Sequence, residues 1–364
     1  MHHESPAAGV LDPGELELVA LGVREPPEVG RDLNGSRNWD THARNLPDAL
    51  VEPAAGSGRR RVPMRPEAPG NPKHLWENSG VTEQADRVHS FSAEGYLVAP
   101  GLFEPAEIDR LRAAATAAGT SLEDRNLVTV EQSAFGEARI SRCDLLAIPE
   151  LRHVLLDPRI VELATDLLGH PPVYFGDSSL RLGKSTPAWH KDNVDRVDRR
   201  GPDWLEEYPL VRMGLYLQDH RRHSGALALR PGSHRGPVEP SRARFVDLGP
   251  GDVAAWNLRM SHVGDAVRLR WRPDLVLAPK LQIRMPRSLT LPEERPRIAL
   301  FMTFGRPSPL FDRYLDYLGT REYAREQWEN SHFSADVWAA AAAAGIEMVR
   351  PVPGYGSPEP VPSP

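Results

Sequence analysis

The rhythm of apolar positions changes near residue 170. Upstream, apolar side chains return every three or four residues. In "EPAEIDRLRAAATAAG" (104–119), Ile108, Leu111, Ala115 and Ala118 fall on one stripe, Pro105 suits a first helical turn and Gly119 can close a last one. That spacing predicts a helix over about 105–119. Asp157 as N-cap, Pro158 behind it and Gly169 at the far end predict a second helix through Leu168. Ahead of both, Tyr96, Leu97 and Val98 predict a short strand stopped at Pro100-Gly101. Downstream the period shortens to two. The runs "VYFGDSSLRLGK", "LVRMGLYLQD", "GALALRPGS", "RFVDLGPGDVAAWN", "LVLAPKLQIRM" and "RIALFMTFG" are short, alternating or apolar, and separated by Gly, Pro and Asp. They predict the antiparallel strands of a barrel or sandwich. "SADVWAAAAAAGIEMV" (334–349) returns to a helical pattern. The expected order is helices, a β-core of roughly eight strands, and a helical end: a mainly β fold with flanking helices.

Proline refines the boundaries. Ten of the 36 prolines fall in the first 72 residues and six in the last 14. Residues 1–85 therefore read as an irregular Pro-rich arm, 86–350 as the folded domain and 351–364 as a disordered tail. Within the arm, "ELELVALGV" (15–23) has the apolar spacing to anchor on the domain.

The net charge of −6 speaks against a nucleic-acid or anionic-membrane partner, which favours a basic face. No apolar stretch follows the first ten residues, and "VWAAAAAAGI" (337–346) is too short to span a bilayer, so a soluble cytoplasmic protein is expected. The single cysteine, Cys143, excludes an internal disulfide framework and reads as a buried, inert thiol. GxGxxG, Walker, GxSxG and HExxH signatures are all missing, so the dinucleotide, NTPase, serine-hydrolase and zincin readings lose their support.

"WHKDN" (189–193) places His190 and Asp192 on one side of an extended segment, as two adjacent ligands of one metal require. Alone it is weak. Random placement of 13 His and 50 acidic residues in 364 gives about two His-x-Asp/Glu pairs, and the chain has two, the other being His2-x-Glu4. The order of motifs around it is specific: "EGYLVAPGLF", "WHKDN", "LYLQDH" with "SGALALRPGSHRG", "GDVAAWN" with "SH", then "RPRIALFMTFG". Over about 91–306 this series resembles the phytanoyl-CoA dioxygenase family of iron(II)/2-oxoglutarate-dependent oxygenases.

The resemblance implies a double-stranded β-helix, the cupin-like jelly roll. It implies iron(II) held by His190, Asp192 and His262, with 2-oxoglutarate and O₂ in the open positions of a two-histidine, one-carboxylate face. Because halogenating relatives lack the carboxylate, Asp192 favours hydroxylation, desaturation or cyclisation of a small molecule. By its match in "RPRIALFMTFG", Arg297 would grip the far carboxylate of 2-oxoglutarate, and Lys184 is a weaker second contact. The spacing of 35 positions from His262 to Arg297 exceeds the family's, so about 265–295 reads as an insertion, expected to form a lid or wall at the barrel mouth. Arg295, one step outside the strand, is expected to meet solvent or Glu293 and Glu294.

His234 in "PGSHRG" belongs to a structural turn, His220 and His223 to a solvated loop, and Trp189 to packing beside the metal. The six acidic and four basic residues of 191–207 read as a solvated face. A composition rich in Ala, Arg, Gly and Pro suits a bacterial source, and a specialised-metabolite tailoring step is the expected setting. A cupin-like metal enzyme that does not use 2-oxoglutarate, or a binding protein with a degenerate site, are the alternatives.

Overall fold

In the β-rich half, successive side chains of each strand serve two different cores. The computed structural model describes residues 80–358 apart from 134, 239–241 and 295, with side chains from 84 onward. The expected anchor at 15–23 and the expected role of Arg295 lie outside the described residues.

Helix α1 (Gly80–Glu94) leads into strand β1 (Tyr96–Ala99), and α2 (Pro105–Asp124) follows. Strands β2 (Val128–Ser133) and β3 (Gly136–Ser141) form a hairpin that the periodicity did not reveal. Helix α3 (Pro158–Leu168) precedes the strand-rich half. There the strands are β4 (Val173–Tyr174), β5 (Ser178–Gly183), β6 (Leu210–Tyr216), β7 (Ala226–Leu229), β8 (Arg244–Phe245), β9 (Val253–Asn257) and β10 (His262–Ala266). A short helix α4 (Pro279–Arg284) is followed by β11 (Ile298–Gly305), helices α5 (Pro309–Gly319), α6 (Glu322–Glu329) and α7 (Ala335–Ala343), and β12 (Glu347–Met348).

The larger sheet runs β1-β9-β6-β11-β5-β3-β2, with β4 and β12 added beside β11, and the smaller runs β10-β7-β8. The jelly roll expected from the resemblance is this pair of sheets. On β11, Ile298, Leu300, Met302 and Phe304 join the helix-covered core, whereas Ala299 and Phe301 face the smaller sheet. On β6, Met213 and Leu215 go to the helices and Tyr216 to the interior; on β9, Val253 and Ala255 divide from Ala254 and Trp256 in the same way. A period of two over a sheet buried on both faces makes this division unavoidable.

Helix α3 has the expected caps: the Asp157 carboxylate accepts from Arg159 N, and Gly169 is left-handed at φ 62°. Helix α2 runs past Gly119 to Asp124, because Leu122 continues the buried stripe and Leu182 packs where a Gly119 side chain would stand. "LVLAPKLQIRM" is not a strand. Pro279 starts a helical turn there instead, a position where its missing N–H is harmless. The tail expected from 351 is ordered through 358, since Tyr355 is fully buried against Phe333 and Trp338. Cys143 is buried, and burial pushes its thiol up to about 12, which makes it inert at neutral pH. No described helix is long and apolar enough to cross a membrane.

Candidate active site

A short antiparallel bridge brings His190 and His262 together. Each backbone N–H donates to the other's carbonyl, at 3.1 Å from His190 and 3.0 Å from His262. Asp192 N donates to Leu258 O at 3.0 Å, which pins the second half of the His-x-Asp motif to the loop before β10. The two imidazole rings lie 4.2 Å apart.

Both rings are oriented alike. His190 Nδ1 lies 3.0 Å from Ala188 O, and His262 Nδ1 lies 3.1 Å from Met260 O. A carbonyl only accepts, so each Nδ1 carries the proton and each Nε2 presents a lone pair. These Nε2 atoms face Asp192, at 3.6 Å from Oδ1 for His190 and 3.7 Å from Oδ2 for His262. One ligand atom from each of the three residues lies within 4.8 Å of the others. Burial alone would raise the Asp192 carboxyl, but Arg212 and then the two histidines outweigh it and hold it at about 2. Burial, with His190 next to it, holds His262 down at about 3. The set is thus one carboxylate and two imidazoles with free lone pairs, which fits iron(II). His190 is about half exposed and gives the centre its open side.

Arg212, which no motif pointed to, is the main partner of Asp192. Its Nη1 donates to Asp192 Oδ2 at 3.1 Å, its Nη2 to Asp177 Oδ2 at 2.7 Å and its Nε to Thr303 Oγ1 at 3.0 Å. The signal was an arginine at an inward position of an otherwise apolar strand, legible only once the facing strand is known. Trp256 lies 5.4 Å from the His262 ring, and its buried indole N–H has no acceptor among the described residues.

Arg297 stands on the same face of β11 as Ala299, Phe301 and Thr303, as alternation requires. It is buried. Nε meets Asp265 Oδ1 at 2.8 Å and Gly225 O at 3.1 Å, Nη1 donates to Gly183 O at 3.2 Å, and the guanidinium lies 5.6 Å from the Tyr216 ring. Nη2 has no acceptor among the described residues. Asp265 reaches it through a bulge in β10: the register against β7 shifts between Val263 and Ala266, and Asp265 takes φ 60°. Lys184, also buried, donates from Nζ to Glu293 Oε1 at 2.6 Å and sits 4.3 Å from the Phe135 ring. Burial lowers its pKa, with Glu293 acting in the opposite direction.

Other expectations are corrected here. His220 is buried, not solvated: its ring stacks 4.9 Å from Tyr216 and its Nε2 lies 2.6 Å from Gln218 Nε2. Gln218 Oε1 accepts from Ile298 N, so its amide donates to His220 Nε2. That leaves Nδ1 as a buried donor with no partner among the described residues. Nor is 191–207 a solvated face. Lys191, Asp195 and Asp203 are buried; Arg313 holds the two aspartates, and Lys191 donates to Ser233 O and Arg259 O. His234 stays outside the ligand group, at 3.1 Å from Ser92 O. Trp189, Phe245 and Val276 pack on the same small cluster of Ala228, Val263 and Ala266, and the Arg230 guanidinium lies 4.7 Å from the Trp189 ring.

Residues 91–266 match the family Phytanoyl-CoA dioxygenase (PhyH). The match spans 176 of the chain's 364 residues. Together with the three residues that could hold a metal ion, it makes the protein a non-haem iron(II)/2-oxoglutarate-dependent oxygenase, with iron(II), 2-oxoglutarate and O₂ as cofactor and cosubstrates. No curated protein sequence matches the chain. Among solved structures, the non-heme alpha-ketoglutarate-dependent epimerase SnoN of nogalamycin biosynthesis is similar at 18% identity over 61% of this chain and 82% of its own, with a TM-score of 0.44. HygX from Streptomyces hygroscopicus, with nickel and 2-oxoglutarate bound, is 18% identical over 60% of this chain and 86% of its own, TM-score 0.42. EctD from S. alaskensis with bound Fe is 18% identical over 64% and 80%, TM-score 0.44. At such scores these likenesses carry no weight for this chain.

Proposed function

We propose that His190, Asp192 and His262 hold the iron, and that Arg297 receives the far carboxylate of 2-oxoglutarate with Lys184 as a second cation. The observation that carries the first assignment is the pair of Nδ1–carbonyl hydrogen bonds, which turn both Nε2 lone pairs onto one carboxylate. For the second, Arg297 Nη2 and the partnerless donors His220 Nδ1 and Trp256 Nε1 suit an anionic ligand in the interior between the sheets. When bound, iron and 2-oxoglutarate supply the oxidation of a substrate C–H bond. The chain's own residues do the rest. Arg212 keeps Asp192 ionised and fixed, Phe301, Tyr216 and Trp256 keep the interior apolar, and the open side at His190 admits substrate.

The reaction is hydroxylation, or a related desaturation or cyclisation, of a small molecule in a bacterial specialised-metabolite pathway. The segment after β10 forms part of the wall beside the centre, since its Val276 packs on the same Ala228, Val263 and Ala266 cluster as Trp189, the neighbour of His190. Anaerobic titration with iron(II) and then 2-oxoglutarate tests the reading. One iron per chain and a charge-transfer absorption on adding 2-oxoglutarate are expected, both lost in His262→Ala. Full iron binding by that variant would defeat the ligand assignment. Substrate-stimulated succinate release, screened across metabolites, then identifies the substrate.

A further inference from the structure

The segment 267–291, directly after the family-matched residues, departs from the rest of the chain in both charge and exposure. It holds six basic residues against one acidic, in a chain whose net charge is −6. Five of the six, Arg270, Arg272, Lys280, Arg284 and Arg287, are exposed. Ten large hydrophobic residues are exposed among the described residues, and four of them are here: Trp271 at 56%, Leu281 at 52%, Ile283 at 42% and Leu289 at 41%.

The exposure is not that of a loose loop. Gln282 is fully buried, accepting from Val267 N at 2.7 Å and donating to Leu277 O at 2.8 Å, so α4 is tied down by its one inward residue while Leu281 and Ile283 flank it outside. Arg270 N donates to Leu289 O and Leu291 N to Arg268 O, which joins the two ends of the segment and brings Trp271 near Leu289. The Arg268 guanidinium lies 4.1 Å from the Phe245 ring. A held surface that still presents large apolar side chains marks a binding face.

We propose that this face docks on an anionic lipid surface. The cations ask for an anionic partner, and their arrangement selects among such partners. Trp271 stands between Arg270 and Arg272, Leu281 follows Lys280, Ile283 precedes Arg284, and Leu289 is two residues from Arg287. Protein interfaces deplete charge at their apolar centre, whereas apolar and cationic side chains side by side are the pattern of segments lying at a bilayer surface. A second copy meeting this face symmetrically would set five cations against five. Leu and Ile offer a nucleic acid no stacking, and one tryptophan offers little. The acidic remainder of the chain does not forbid the contact, because charges more than about 8 Å away are largely screened at physiological salt.

The test needs neither iron nor 2-oxoglutarate, so its failure would leave the oxygenase reading intact. Full-length protein is floated with vesicles of phosphatidylcholine, with and without phosphatidylglycerol. Binding to the phosphatidylglycerol vesicles, weakened by salt, is expected. Each exposed cation contributes about fivefold, so the combined Arg270→Gln, Lys280→Gln and Arg284→Gln variant should bind roughly a hundredfold more weakly. Trp271→Ser with Leu281→Ser should also weaken it, with no loss of melting temperature in either variant. Equal binding to both vesicle types, or a triple variant that binds like wild type, overturns the proposal. So does binding to heparin but not to vesicles, or an oligomer in light scattering that these substitutions dissociate.

Discussion

The metal end and the cation end of the barrel interior hold their charged groups in opposite ways. At the metal end, Arg212 binds Asp192 from one side and Asp177 from the other, so the ligand is fixed and ionised while both histidine Nε2 atoms remain open. At the cation end, both groups expected to receive a carboxylate already face one: Arg297 meets Asp265 and Lys184 meets Glu293. On the proposed assignment, the metal end is open for its ion, whereas both cations of the other end are already paired. A buried guanidinium without a partner would be far costlier than a buried ion pair, so an arginine kept for a dicarboxylate needs its own carboxylate when the site is empty. Asp265 Oδ1 lies 2.8 Å from Arg297 Nε, and on the proposed reading Nη2 is left for the ligand. Glu293, on the inserted segment, instead competes for Lys184.

The largest effect should separate the two ends outright. Arg297→Ala should raise the KM for 2-oxoglutarate by roughly 30-fold to several thousandfold, from about 2–5 kcal/mol for truncating one partner of a buried charge pair, and leave iron affinity unchanged. Arg297→Lys should do less harm. If equilibrium iron binding fell as far as 2-oxoglutarate binding, the two ends would not be independent. Next, Arg212→Met should weaken iron binding roughly 10–100-fold, the range for lost partners of metal ligands. It should also shift the d–d spectrum of the cobalt-substituted protein, which loss of packing alone would not do. Arg212→Lys should recover part of both. An unchanged spectrum would reduce Arg212 to a structural role.

A smaller change of opposite sign is expected at Glu293. Glu293→Gln releases Lys184 from its 2.6 Å pair and should tighten 2-oxoglutarate several-fold. Weaker 2-oxoglutarate binding in calorimetry would show that Glu293 positions Lys184 rather than occupying it.

The smallest effect is a control at a carboxyl that bonds none of the groups at either end. Asp144 is fully buried, and burial raises its carboxyl to about 6 despite hydrogen bonds from Tyr174 and Leu146 N. Its folded value exceeds its unfolded value of 3.8, so its contribution to stability is complete below pH 4 and is lost as pH rises through 6. Asp144→Asn should therefore flatten the fall in melting temperature between pH 4 and 7. A profile unchanged from wild type would place the proton elsewhere.

Much of this was legible along the chain. The stripe of Ile108, Leu111, Ala115 and Ala118, the caps at Asp157 and Gly169, and the period-two runs depend on neighbours within a few residues. Local backbone geometry therefore determines them. The three ligand candidates were legible because their motifs keep a fixed order. The hidden parts all depend on which strands become neighbours. Arg212 looks like one polar residue in an apolar strand until β6 lies beside β11 and the loop carrying Asp192. His220 looks solvated, next to Arg221 and Arg222, until Tyr216 and Gln218 bury it. Asp265 and Glu293 look like ordinary acids until a bulge at one and a parallel bridge to Ser224 at the other bring them to Arg297 and Lys184. "LVLAPKLQIRM" was misread for the same reason: apolar residues at the surface look like core when only the order along the chain is known. Sequence by itself determined the capped helices, most of the strands and the spacing of the ligand candidates. Tertiary structure alone decided which charges meet, because burying a charge is tolerable only where the fold brings it a partner from elsewhere in the chain.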